Sequence, residues 1–186
     1  MLNKQEFKKI KKELAKFETE REAEIQKSRE IIRFSKLIIY ALHRNSIKEA
    51  ADYVKKIKNK VKALSKNNYD MSLSSVAKQE YVEALCYYHF IKDRKIPTKK
   101  ELNIDTETYL LGICDLTGEL VRKAVDDAIK RNFGNTIAIK ELVSEIYRAF
   151  LDFDLRNGDL RKKADSIKYN LKKLEDLVYE IKTKRH

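Results

Sequence analysis

Four carboxylates are conspicuous for where they sit. Glu80 and Glu83 lie at the start of the apolar run YVEALCYYHFI (residues 81–91), and Asp115 and Glu119 are the two charges in YLLGICDLTGELV (residues 109–121). Elsewhere the chain is dense in charge, at 38% of all residues. Spacings of three and four put each pair on one face of a helix. A buried carboxylate is costly unless something positive meets it. If the two helices are neighbours, the four acids converge, and they must raise one another's pKa or bind a cation. Hard oxygen ligands select magnesium, manganese or calcium. In nucleases such a site activates water and stabilises the phosphoryl oxyanion. The competing reading is plain surface charge, since an E-x-x-E pair alone is common in helical proteins. The apolar setting of both pairs is what favours a site.

Other chemistries fit poorly. A carboxylate-bridged di-iron bundle wants Glu-x-x-His pairs, and the three histidines, His43, His89 and His186, form none. There is no Gly-rich phosphate loop and no Ser-His-Asp or Cys-His arrangement. A metal-free ribonuclease wants two catalytic histidines, and with His186 terminal only His43 and His89 remain.

Cations complete the picture. Arg29, Arg33, Lys36, Tyr40 and His43 follow spacings of four, three, four and three, and Arg44 adjoins them. The stripe would grip phosphates and stack its rings on unpaired bases, unless it is only a solvated face. Arg122, on the face of Asp115 and Glu119, would clamp a phosphate or neutralise Glu119. The net charge of +12 (41 Lys and Arg, 29 Asp and Glu) favours a polyanionic partner, with nucleic acid the first expectation.

The elements that must position these residues read as helices throughout. One Pro and four Gly leave few breaks, and no segment alternates like a strand. The expected helices cover residues 5–43, 46–64, 75–92, 106–132, 137–153 and 159–182. Asn3 with Glu6, Ser46 with Glu49, and Thr98 with Glu101 read as capping boxes. Residues 65–70 read as a loop, and Gly134 with Asn135 as a break. In the first helix the stripe Phe7, Ile10, Leu14, Phe17 fades through a charged middle and returns at Ile31. Such a helix packs on more than one thing, bends near Ser28, or serves a neighbouring subunit with its first half. Leu160, Ala164, Ile167, Leu171, Leu174, Val178 and Ile181 form a heptad seam, read equally as bundle packing or a subunit contact. Gly112 and Gly118, inside a helix, mark close approach of another helix or of a substrate. Cys86 and Cys114 read as core residues in a reducing cytoplasm. No apolar run is long enough to span a membrane, and the N-terminus lacks a signal-peptide core. With no linker or repeat, residues 1–186 read as one domain.

At these residues the chain resembles the translin and translin-associated factor X family. YLLGICDLTGELVRKAV and QEYVEALCYYHFI are similar to helices of factor X, and KSREIIRFSKLIIYALHR to the first shared helix of both proteins. LRNGDLRKKADSIKYNLKKLEDLVYEIK looks more like translin, as in an archaeal-type single-gene homologue. The resemblance implies an all-α, seven-helix bundle with a long N-terminal helix, assembled into closed, usually octameric, homo-oligomeric shells that bind single-stranded RNA and DNA. It also implies magnesium-dependent RNA cleavage by acids that fall on Glu80, Glu83 and Asp115, with Glu119 close by as ligand or base. The expectation is therefore a cytoplasmic endoribonuclease using magnesium, with manganese as the substitute. It would leave 5′-phosphate and 3′-hydroxyl ends, since no histidine pair supports a cyclic-phosphate route. The alternatives are a non-catalytic single-stranded RNA- or DNA-binding shell, or a metal-storage bundle.

Overall fold

A computed structural model describes residues 2–64 and 71–183. The expected loop at 65–70 and His186 lie outside them. Seven helices occur among the described residues: α1 (Lys4–His43), α2 (Ile47–Lys62), α3 (Met71–Asp93), α4 (Lys99–Leu102), α5 (Thr106–Ile129), α6 (Phe133–Leu151) and α7 (Asp159–Thr183). No strand is present among these residues, so the all-α expectation holds.

The two most apolar stretches become the two central helices. α3 packs against α1, α2 and α5, while α5 packs against α3, α6 and α7. Each is covered from several sides, which is why neither has a wide polar face. Tyr81, Val82, Leu85 and Tyr87 from α3, with Leu116, Leu120 and Ala124 from α5, join Ile31, Ile38 and Leu42 of α1 in one core cluster. Both cysteines are buried and free. The seam of α7 belongs to this bundle at Ile167, Leu171, Leu174 and Val178, all buried.

α1 behaves differently in its two halves. Helical structure runs unbroken for 40 residues, about 60 Å at 1.5 Å per residue. Burial begins only at Glu24. The first apolar stripe is exposed: Phe7 54%, Ile10 38%, Leu14 59% and Phe17 42%.

Helix ends follow local chemistry. Asn3 Oδ1 accepts from the Gln5 and Glu6 amides. Thr98 and Glu101 form the full reciprocal capping box. Ser46 precedes α2 without a side-chain bond to its amides, and Glu49 instead accepts from Arg44 and Tyr53. The expected break at Gly134 and Asn135 is displaced, because both lie in the first turn of α6. α5 ends earlier, where Arg131 takes a left-handed φ of 60°. Asn135 is then free to donate to Asp127.

Lys123 and Asp127 lock this end of the bundle. Both are buried to 2% exposure, with Nζ 2.8 Å from Asp127 Oδ1 and 2.9 Å from Asn45 Oδ1. Asn45 is the left-handed residue of the α1–α2 turn. The pair ties the end of α1 to α5, next to His43. Removing one partner would leave a buried charge unmet, at a cost of about 3–5 kcal/mol.

Candidate acid cleft

Gly112 sets the register of α3 against α5. A Cβ there would lie 2.6 Å from Val82 Cβ and 2.9 Å from the Gln79 carbonyl oxygen. Only glycine allows this approach, which brings Glu80 and Glu83 level with Asp115. Gly118 is different: nothing lies within 4 Å of the Cβ it lacks, and it opens onto the cleft. Of the two roles foreseen for these glycines, Gly112 therefore takes helix packing and Gly118 the open wall.

The cleft has a volume of about 460 Å³. Glu80, Glu83, Asp115 and Glu119 all line it, with Lys36, Tyr40, Arg122 and Lys163. The acids differ in their partners. Asp115 Oδ2 accepts from Lys163 Nζ at 2.5 Å. Glu119 Oε2 is 2.5 Å from His43 Nε2 and 3.8 Å from Arg122. An ionised carboxylate only accepts, so His43 Nε2 carries the proton and donates. Its Nδ1 lies 3.4 Å from the buried Tyr87 hydroxyl. Glu80 and Glu83 make no ion pair or hydrogen bond with another described side chain.

Burial pushes the Glu83 carboxyl up to about 8, helped by the charges of Asp115, Glu80 and Glu119 and opposed by Lys163. Glu80 is raised as well, chiefly by burial, with Lys36 pulling the other way. Two half-buried, unpartnered carboxyls that resist ionisation are chemically suited to a hard dication. The donor set therefore fits magnesium or manganese. The present arrangement stops short of a finished ligand shell: among the described residues no three acid, His or Cys side chains group as metal ligands. Convergence is expected if the two helices are neighbours: they are, and all four acids line one cleft without closing into such a group. Lys163 and His43 already engage two of them.

The expected basic stripe divides. Arg29, Arg33, Lys36 and Tyr40 are exposed on α1, and Arg44 is exposed just past its end. Lys36 and Tyr40 reach the cleft, and the Arg122 guanidinium lies 5.7 Å from the centre of the Tyr40 ring. Arg44 pairs with Glu49 at 3.0 Å. His43 is not an exposed stacking ring. Its side chain is 11% exposed and turned inward to Glu119 and Tyr87. His89 bonds Asp93, away from the cleft.

Lys163 escaped the sequence reading because its partner is 48 residues away. Its one available signal was its place beside Ala164 on the edge of the α7 seam. Asn170, seven residues on, donates to Thr117 Oγ1 at 2.8 Å and holds α7 against α5.

The described residues form a helical bundle with a carboxylate cleft between its two central helices. The sequence profile of the Translin family covers residues 19–185, and the chain belongs to that family. An uncharacterised protein of Methanocaldococcus jannaschii is 30% identical over 184 residues, 93% of this chain and 83% of that one. Translin of Gallus gallus is 32% identical over 83 residues, 45% of this chain and only 36% of that protein. Translin-associated protein X of Pongo abelii is 24% identical over 226 residues, 96% of this chain and 78% of that one. Among solved structures, apo-NeC3PO is similar with a TM-score of 0.88 and 33% identity, covering 96% of this chain and 97% of its own. AfC3PO in complex with duplex RNA has a TM-score of 0.87 and 25% identity, covering 97% and 98%.

Proposed function

We propose that this protein is a metal-dependent endoribonuclease that binds and cuts single-stranded RNA as a homo-oligomer. The observation that carries the reading is the single cleft into which α3 and α5 bring four carboxylates, with cations and an aromatic ring at its rim. The neighbour solved with duplex RNA supports RNA as the class of ligand. Glu80, Glu83 and Asp115 would hold magnesium or manganese, with Glu119 as a further ligand or a base beside it. Bound there, the metal would supply positive charge to the phosphodiester oxygens and ease hydrolysis.

The chain's own residues do the rest. Lys36 and Arg122 meet phosphate oxygens, and Tyr40 offers a face to an unpaired base. His43, steadied by Tyr87, fixes the direction of Glu119. Arg29, Arg33 and Arg44 extend the cationic path along α1. The exposed stripe from Phe7 to Phe17 is the natural surface for a second subunit. An octamer and a cytoplasmic site of action extend this reading, and single-stranded DNA is a second candidate ligand. No described helix is long and apolar enough to cross a membrane.

One observation favours a second reading. Asp115 and Glu119 already have partners, Asp115 in Lys163 and Glu119 in His43 and Arg122, as expected if the acids were structural and the protein bound RNA without turnover. Cleavage of an end-labelled single-stranded RNA, with magnesium or with EDTA, separates the two. The nuclease reading expects products with 5′-phosphate and 3′-hydroxyl ends, lost in EDTA and in Glu83→Ala. RNA retained intact under every condition would leave the binding shell as the function. Cyclic-phosphate ends would overturn the metal route.

A further inference from the structure

Lys163 reaches the cleft from α7, a helix that supplies none of the acids. Its Nζ lies 2.5 Å from Asp115 Oδ2 and 3.4 Å from Gln79 Oε1. Among the described residues it is the one lysine ion-paired with a cleft carboxylate. Its charge also acts on Glu80 and Glu83, opposing the rise of both. An ammonium in hydrogen-bonding contact with Asp115 Oδ2 takes one of the carboxylate's acceptor sites and places a positive charge where a dication would approach. Two like charges drawn to one carboxylate repel each other strongly in a half-buried cleft, where screening is weak.

The side chain has somewhere else to go. Lys163 also lines a second, larger cavity of about 710 Å³ between α3, α5 and α7, where Ser75, Gln79 and Thr108 offer polar atoms. The backbone of α7 need not move. Ile167 is buried, and Asn170 is bonded to Thr117. A four-carbon stem is enough to swing between the two cavities.

We propose that Lys163 is the resident counter-ion of the acid cleft, pairing with Asp115 while no divalent cation is bound and withdrawing into the neighbouring cavity when one is. This rests on the metal reading above. It accounts for four acids sharing a cleft without forming a ligand group, because one of them is held by an ammonium the site must release.

Manganese binding measured by calorimetry, with no RNA present, gives the first test. Lys163→Met should bind manganese at least about tenfold more tightly than wild type, whereas Lys163→Arg, which keeps the charge, should stay near wild type. The second test uses unmodified protein and so does not depend on a variant folding. Acylation of Lys163, followed by peptide mass spectrometry, should accelerate when manganese is added. Neighbouring Lys162, whose side chain is 82% exposed, should react at the same rate throughout. Equal affinities in wild type and Lys163→Met, or a Lys163 reactivity indifferent to manganese, would overturn the counter-ion role and leave the metal reading standing. Failure of both wild type and Lys163→Met to bind manganese would remove the metal reading and this inference together.

Discussion

Gly112 rests on Val82 at the crossing of α5 and α3, where a methyl group at 112 would also meet Val82 Cγ1 at 2.7 Å. Neither the Val82 Cβ nor the Gln79 carbonyl is the end of a flexible side chain, so neither can yield. Gly112→Ala must push the two acid-bearing helices apart. The expected cost is about 1–3 kcal/mol, with loss of RNA cleavage as the acid pairs separate. Gly118→Ala meets open space and should gain up to about 1 kcal/mol of helix propensity. Thermal melts of the two variants should shift in opposite directions. A common direction would mean the α3–α5 crossing is wrongly described.

Glu83 makes stability depend on pH in an uncommon sense. Folded Glu83 keeps its proton up to about pH 8, whereas the ordinary value is 4.5. Between those values the folded state binds the extra proton, so stability falls as pH rises from about 4.5 to 8 and then levels. In EDTA, Glu83→Gln should therefore melt above wild type beyond pH 8 and close to it near pH 5. Manganese, which prefers the ionised carboxylate, should bind more tightly as pH rises through the same range. A wild-type melting temperature that rises with pH in step with Glu83→Gln would refute the assignment.

The rim residues should differ in how they contribute to RNA affinity. Lys36→Ala removes one phosphate contact. It should lower the slope of log affinity against log salt by about 0.7 for a single strand. Tyr40→Ala removes a stacking face and should cost about 1–3 kcal/mol with the salt slope unchanged. Filter binding across a salt series reads both. A Tyr40 effect that vanishes at high salt would make its role electrostatic.

The outer stripe of α1 should report on assembly. Ile10→Asp with Leu14→Asp places charge on two exposed side chains of the stripe. The bundle core should keep its melting temperature while light scattering gives a smaller particle than wild type. An unchanged particle mass would move the subunit contact elsewhere.

Much of this was readable from residue types. Near-absence of Pro and Gly, with apolar spacing of three and four, suffices to predict helices. Apolar surroundings suffice to single out Glu80, Glu83, Asp115 and Glu119. What spacing could not carry is partnership across the bundle. His43 lies on the same periodic stripe as Arg33 and Tyr40, yet its ring turns to Glu119, 76 residues away. Lys163 is one of many lysines, and only the docking of α7 on α5 singles it out. The α5–α6 break was misplaced for a local reason. Arg131 adopts the left-handed turn that glycine usually supplies, while Gly134 sits inside a helix where its freedom goes unused.

Among the described residues, α1 enters the core only from Glu24 onward, about 30 Å along the helix from its start. The same rod ends, with no break in its helix, at Lys36, Tyr40 and His43. Such a beam has a fulcrum. A neighbour that leans on Phe7 or Leu14 would press on a rod whose far end is pinned to α5 through Asn45 and Lys123, so the load would reach the cleft wall with no hinge in between to absorb it.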